Sequence, residues 1–159
     1  RLRLVGGEAP HEILQFGVSQ IDGGTNIEMG AYSKKKENEN QDIDFEQFQI
    51  NDNRSLNEIM EELIDQKYIP SFCTSCYRAG RTGEHFMEFS VPGFIKRYCQ
   101  PNAMLTLAEY LEDYAPVETR VKGKKLLEEK LAEIEYGDFK KQLMERLKLV
   151  KEGKRDLYF

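Results

Sequence analysis

Residues 68–115 read YIPSFCTSCYRAGRTGEHFMEFSVPGFIKRYCQPNAMLTLAEYLEDYA, and they hold all three cysteines of the chain, Cys73, Cys76 and Cys99. Cys73 and Cys76 form a C-x2-C pair, and Cys99 follows after twenty-two intervening residues. A C-x2-C turn aims two thiolates at one centre, whereas a distant third must arrive through folding. Three thiolates leave a tetrahedral zinc one ligand short. They also suit three corners of a four-iron cluster, leaving the fourth iron open, since such clusters are normally held by four thiolates. The bland alternatives are a redox pair or buried structural thiols.

The flanking residues favour a bound metal. Lys67, Arg78, Arg81, Lys96 and Arg97 outnumber Glu84 and Glu88 between positions 67 and 99. A thiolate-ligated centre is anionic, and neighbouring cations favour ionised thiols. Arg78 and Arg81 are therefore expected beside the sulfurs. Gly80 and Gly83 let backbone pass close to them. His85 lies between the cysteine pair and Cys99 and would complete a Cys3His zinc site in a structural or interaction module, the competing hypothesis. Phe86, Met87, Phe89 and Val91 are expected to shield the site from water or simply to pack in the core.

Outward from this stretch the chain is mostly helical in pattern. Ser55 with Glu58 makes a capping box. Leu56, Ile59, Met60, Leu63 and Ile64 then recur at helical spacing, with Glu61 and Asp65 on the wet side. Residues 68–72 are expected to be extended, because Pro70 disfavours helix. Residues 92–98 read as a short helix presenting Cys99, and Pro101 and Asn102 as the start of another, which Pro116 ends. Residues 121–136 place Leu127, Leu131 and Ile134 on one face. Gly137 stops that helix, Asp138 caps the next, and Phe139, Leu143, Leu147 and Val150 mark its buried side. The last residues, KRDLYF, read either as an anchor or as a frayed tail.

The N-terminal third differs. Val18 to Ile21 is a short strand candidate broken by Gly23-Gly24. Residues 33–54 are polar and charged and read as a solvated crossing loop.

Composition bounds the function. Of 159 residues, 40% are hydrophobic and 32% charged, a globular balance. The net charge of −5 argues against nucleic acid as a partner. No apolar run approaches the roughly 20 residues a membrane helix requires, and residues 1–12 lack the apolar core of a secretory signal. An odd cysteine count without an export signal points to a reducing, cytoplasmic location. A chain beginning at Arg1 is expected to be a fragment or a processed product.

PSFCTSCYRAGRTGEHFM, the C-x2-C-x22-C spacing and YCQPNAMLTLAEYLEDYA together resemble the C-terminal region of the HydG family of FeFe-hydrogenase maturases, which are radical S-adenosylmethionine (SAM) tyrosine lyases. The resemblance covers most of the chain. It implies that Cys73, Cys76 and Cys99 ligate an auxiliary 4Fe-4S cluster with an open iron, where carbon monoxide and cyanide made from tyrosine are assembled onto iron. It implies a mainly α fold with a few short strands. Residues 1–32 would be the end of a (β/α) radical SAM barrel, 33–54 the crossing loop, 55–115 the auxiliary-cluster domain and 116–159 a C-terminal helical pair. Ser19, Gln20, Asp22 and Thr25 become pocket candidates, against the plainer reading of a strand and turn.

SAM and a second 4Fe-4S cluster need a C-x3-C-x2-C loop, which this sequence lacks. The resemblance therefore places SAM cleavage upstream of Arg1 and leaves the chain inactive by itself. Implied partners are the rest of the barrel, tyrosine as substrate of the parent enzyme, and hydrogenase-maturation scaffold proteins.

Overall fold

A computed structural model describes residues 54–89, 94–135 and 137–159. The strand expected at 18–21, the pocket candidates Ser19, Gln20, Asp22 and Thr25, and all of the crossing loop but Arg54 lie outside the described residues. The chain divides into two compact units, Arg1–Ile59 and Met60–Phe159. Among the described residues all regular structure is helical, which agrees with the mainly α expectation.

The first helix, α1 (Leu56–Asp65), starts as its sequence dictates. The Ser55 amide donates to Glu58 Oε2 at 2.6 Å, and the Glu58 amide donates back to Ser55 Oγ at 3.3 Å. This reciprocal capping satisfies two amides that the helix itself leaves without acceptors. Ile59, Met60 and Ile64 are buried, but Leu56 is exposed. The amphipathic stripe thus begins one turn later than the periodicity predicts. Lys67, at φ 67°, ends the helix, with Tyr68 N–H donating to the Leu63 carbonyl at 2.9 Å. This is the left-handed closure usually assigned to glycine.

Two short helices follow, α2 (Ser75–Arg78) and α3 (Glu84–Phe89). Next comes α4 (Phe94–Asp113), a single helix of 20 residues with Pro101 inside it. The sequence reading divided this segment into two helices at Pro101, and the structure corrects it. An interior proline removes one helical hydrogen bond and crowds the preceding turn, at a cost of about 3 kcal/mol. Here Pro101 is itself buried, and Asn102, Met104, Leu105, Leu107, Ala108 and Leu111 follow it into the core. Packing on several faces of α4 offsets the local penalty.

The last two helices, α5 (Val117–Ala132) and α6 (Asp138–Lys151), both pack on α4. Pro116 caps α5 rather than closing α4 directly, and Asp138 stands in the first turn of α6 instead of at its cap. Leu126, Leu127, Leu143 and Val150 join the α4 side chains in one core, with Leu131 and Leu147 at its margin. At Gly123 the two helices nearly touch: a Cβ there would stand 2.5 Å from Leu111 Cδ2. Arg120 closes the end of α4, donating from Nε to the Leu111 carbonyl at 2.7 Å and from Nη2 to the Ala115 carbonyl at 3.2 Å. Lys122 draws Glu61 and Asp65 of α1 against α5, at 2.6 and 2.8 Å. No helix among the described residues is long and apolar enough to cross a membrane.

Beyond α6 the chain turns at Gly153, φ 94°, and residues 155–159 run back along the molecule. Arg155 grips both oxygens of Asp113, with Nε donating to Oδ2 at 2.6 Å and Nη2 donating to Oδ1. The same guanidinium donates from Nη1 to the Val150 carbonyl at 2.8 Å. Of the two readings of this segment, the anchor is correct.

Candidate metal centre

The cysteine pair sits on a loop and one helical turn. Ser71 Oγ accepts from the Cys73 amide at 3.2 Å, and α2 opens two residues later. The turn closes at Gly80, φ 68°, with Arg81 N–H donating to the Cys76 carbonyl at 2.8 Å. A left-handed residue is needed there to reverse the chain, and glycine supplies it without steric cost.

Cys99 comes from α4. Burial pushes its thiol pKa up, the nearby Cys76 and Cys73 push it further, and Arg81 acts in the opposite direction. Cys99 therefore feels both cysteines of the pair, although twenty-two residues intervene along the chain. All three are free thiols, with no disulfide among them. Among the described residues, no three His, Cys, Asp or Glu side chains stand close enough to share a metal ion as they lie. The fit to a metal is thus one of donor chemistry and neighbourhood. Thiolates repel one another, and a cation or cluster between them removes that repulsion.

The two arginines divide their roles. Arg81 lies 5.0 Å from the Tyr98 ring, donates to the Phe159 main-chain oxygen at 2.7 Å, and acts on Cys99. Arg78 instead donates to Asp156 at 2.9 Å and stacks over Tyr158 at 5.7 Å. His85 lies on α3, 72% exposed at its side chain, with Nδ1 3.8 Å from Glu88. Phe86 and Met87 are 43% and 66% exposed, so neither shields the sulfurs from water. On this six-residue helix every side chain from Glu84 to Glu88 is exposed.

One group was not marked as functional by its sequence. Ser75 Oγ lies 3.0 Å from Cys73 Sγ and accepts from Asn102 Nδ2 at 2.9 Å. Asn102 Oδ1 in turn accepts from the Phe159 amide at 2.8 Å. Ser75 and Asn102 are 3% and 2% exposed. The available signal was a carboxamide on the apolar stripe Asn102, Leu105, Ala108, where a buried polar group must find partners.

No protein-family model matches the chain, and no curated protein matches it. A solved structure does, described as the crystal structure of HydG, a maturase of the FeFe-hydrogenase. The two share 38% sequence identity with a TM-score of 0.86, over 99% of this chain.

The chain is HydG-like.

The likeness takes in the cysteine loop and the helical core together, since it runs nearly end to end. The HydG-like chain spans about a third of the length of that structure. Identity at this level agrees with the resemblance carried by the cysteine spacing and its flanks.

Proposed function

We propose that this chain is the C-terminal part of a radical SAM tyrosine lyase that supplies carbon monoxide and cyanide for the FeFe-hydrogenase active site. In this reading Cys73, Cys76 and Cys99 hold an auxiliary 4Fe-4S cluster with one iron free of cysteine. The observation that carries it is the likeness to HydG over nearly the whole chain, cysteine loop included, with Cys99 of α4 near enough to feel Cys73 and Cys76. When bound, the cluster supplies an open iron that accepts small ligands as a Lewis acid.

The chain's own residues prepare that site. Burial, and then the nearby Cys76 and Cys73, make the Cys99 thiol harder to ionise. Arg81 offsets part of that cost at Cys99 with its positive charge. The α2 turn and Gly80 fix the direction of the cysteine pair, and the buried α4 fixes Cys99. Residues 1–32 form the end of the barrel, with Ser19, Gln20, Asp22 and Thr25 as pocket residues, and 33–54 form the crossing loop. Residues 55–115 form the cluster domain and 116–159 the helices that support it. Tyrosine and SAM bind the parent enzyme, and this chain alone does not cleave SAM. The parent enzyme works in the cytoplasm and passes its product to maturation scaffold proteins.

Anaerobic reconstitution with iron and sulfide tests the reading. The whole chain should take up a cluster of four irons, and Cys73→Ala, Cys76→Ala and Cys99→Ala should each lose it. A colourless protein holding one tight zinc would instead establish the Cys3His module.

A further inference from the structure

We propose that Ser75 and Asn102 are a positioning pair that aims one hydroxyl proton at the Cys73 sulfur, with its direction set by the Phe159 main chain. The inference rests on the reading of Cys73 as a cluster ligand and adds residues that tune the cluster.

The direction follows from what each group can do. A backbone N–H only donates, so the 2.8 Å contact from Phe159 requires Asn102 to present its carbonyl oxygen there. That fixes the carboxamide orientation, which an isolated side chain would leave open. The Asn102 NH2 group must then face Ser75, where it donates to Oγ at 2.9 Å. Its second proton points toward the Phe159 carbonyl at 3.5 Å, too long to contribute much. With its oxygen already accepting, Ser75 has one O–H left to give. Cys73 Sγ stands 3.0 Å away. A metal-bound thiolate has no proton and can only accept, so every member of the relay has the polarity the next requires.

Burial gives the relay its force. Ser75 and Asn102 are almost wholly removed from water, so solvent does not compete for the hydrogen bond between them, while the Cys73 end of the relay is exposed. The anchor is held independently: Arg81 donates to the Phe159 oxygen at 2.7 Å, the Phe159 ring packs 5.1 Å from Phe139, and the Arg146 guanidinium lies 3.8 Å from its centroid. Hydrogen bonds to ligand sulfurs stabilise the more negative, reduced state of a cluster and raise its reduction potential. The C-terminal segment thereby sets a property of the metal centre without touching it.

The experiment is a reduction-potential titration, followed by electron paramagnetic resonance, on the reconstituted chain. Its three cysteines are the only ones present, so the signal belongs to this site. Ser75→Ala removes the donor. Asn102→Asp leaves the donor but turns it toward the new carboxylate. Both variants should keep the wild-type iron and sulfide content and shift the potential to more negative values. Wild-type potentials in both would overturn the proposal while leaving the proposed cluster intact. Failure of the wild-type chain itself to take up iron and sulfide would overturn both.

Discussion

Asn102 and Phe159 are fifty-seven residues apart in sequence, yet the Phe159 amide donates to Asn102 Oδ1 at 2.8 Å inside the fold. The end of the described chain is thus bonded to the helix that carries Cys99. Tail, helix and cysteine loop share one buried polar connection, because Asn102 also reaches Ser75.

Asn102→Ala removes the donor to Ser75 Oγ and the acceptor of the Phe159 amide. Leaving buried polar groups unsatisfied costs about 1–3 kcal/mol. Urea unfolding should show a loss in that range, and amide exchange at Phe159 should accelerate. Wild-type stability would mean that water replaces the carboxamide without loss.

Asp113 and Arg155 predict a pH effect. The hydrogen bond from Arg155 holds the Asp113 carboxyl below its ordinary pKa, against a smaller opposing effect of burial. A carboxylate whose folded pKa is depressed favours folding above its unfolded value. That contribution fades as pH falls through the folded value. An NMR titration should place Asp113 below the ordinary carboxylate range, and Arg155→Met should bring it back. An unmoved midpoint in the variant would show that another group sets it.

Gly123→Ala brings two effects into opposition. Alanine in a helix interior gains about 1 kcal/mol over glycine. The new methyl would stand 2.5 and 2.6 Å from the two Leu111 methyls and 3.1 Å from Cγ. Leu111 is buried in the core and has little room to retreat, and such overpacking costs typically 1–3 kcal/mol. We expect a net destabilisation of about 1 kcal/mol in thermal or urea unfolding. A more stable variant would mean that α4 and α5 separate easily.

His85→Ala separates the two metal readings. The imidazole is largely exposed and faces Glu88. The variant should take up the same iron and sulfide as the parent chain. A loss of metal would make His85 a ligand and favour the zinc module.

Local features were legible from the residues. Ser55 and Glu58 cap α1 as their spacing requires, because the interaction spans three residues and needs no tertiary support. The buried faces of α1 and α6 follow from apolar periodicity, Leu56 excepted. Pro101 misled because its penalty is local while its compensation is not: the burial of α4 between neighbouring helices outweighs one lost hydrogen bond. Phe86 and Met87 misled in the reverse sense, since apolar residues on a six-residue surface helix need not find a core.

For the candidate site, sequence by itself determined the donor set: three thiols, their spacing, and the basic residues among them. It also carried the resemblance that the HydG structure bears out. Tertiary structure decided which arginine acts on Cys99, the pairing of Arg78 with Asp156, and the Phe159–Asn102–Ser75 relay to Cys73. The Ser75–Asn102, Asn102–Phe159 and Arg78–Asp156 contacts join residues that are 27, 57 and 78 positions apart. No periodicity encodes such pairs, because they form only after the helices have packed and paid the entropy of closing the chain between them.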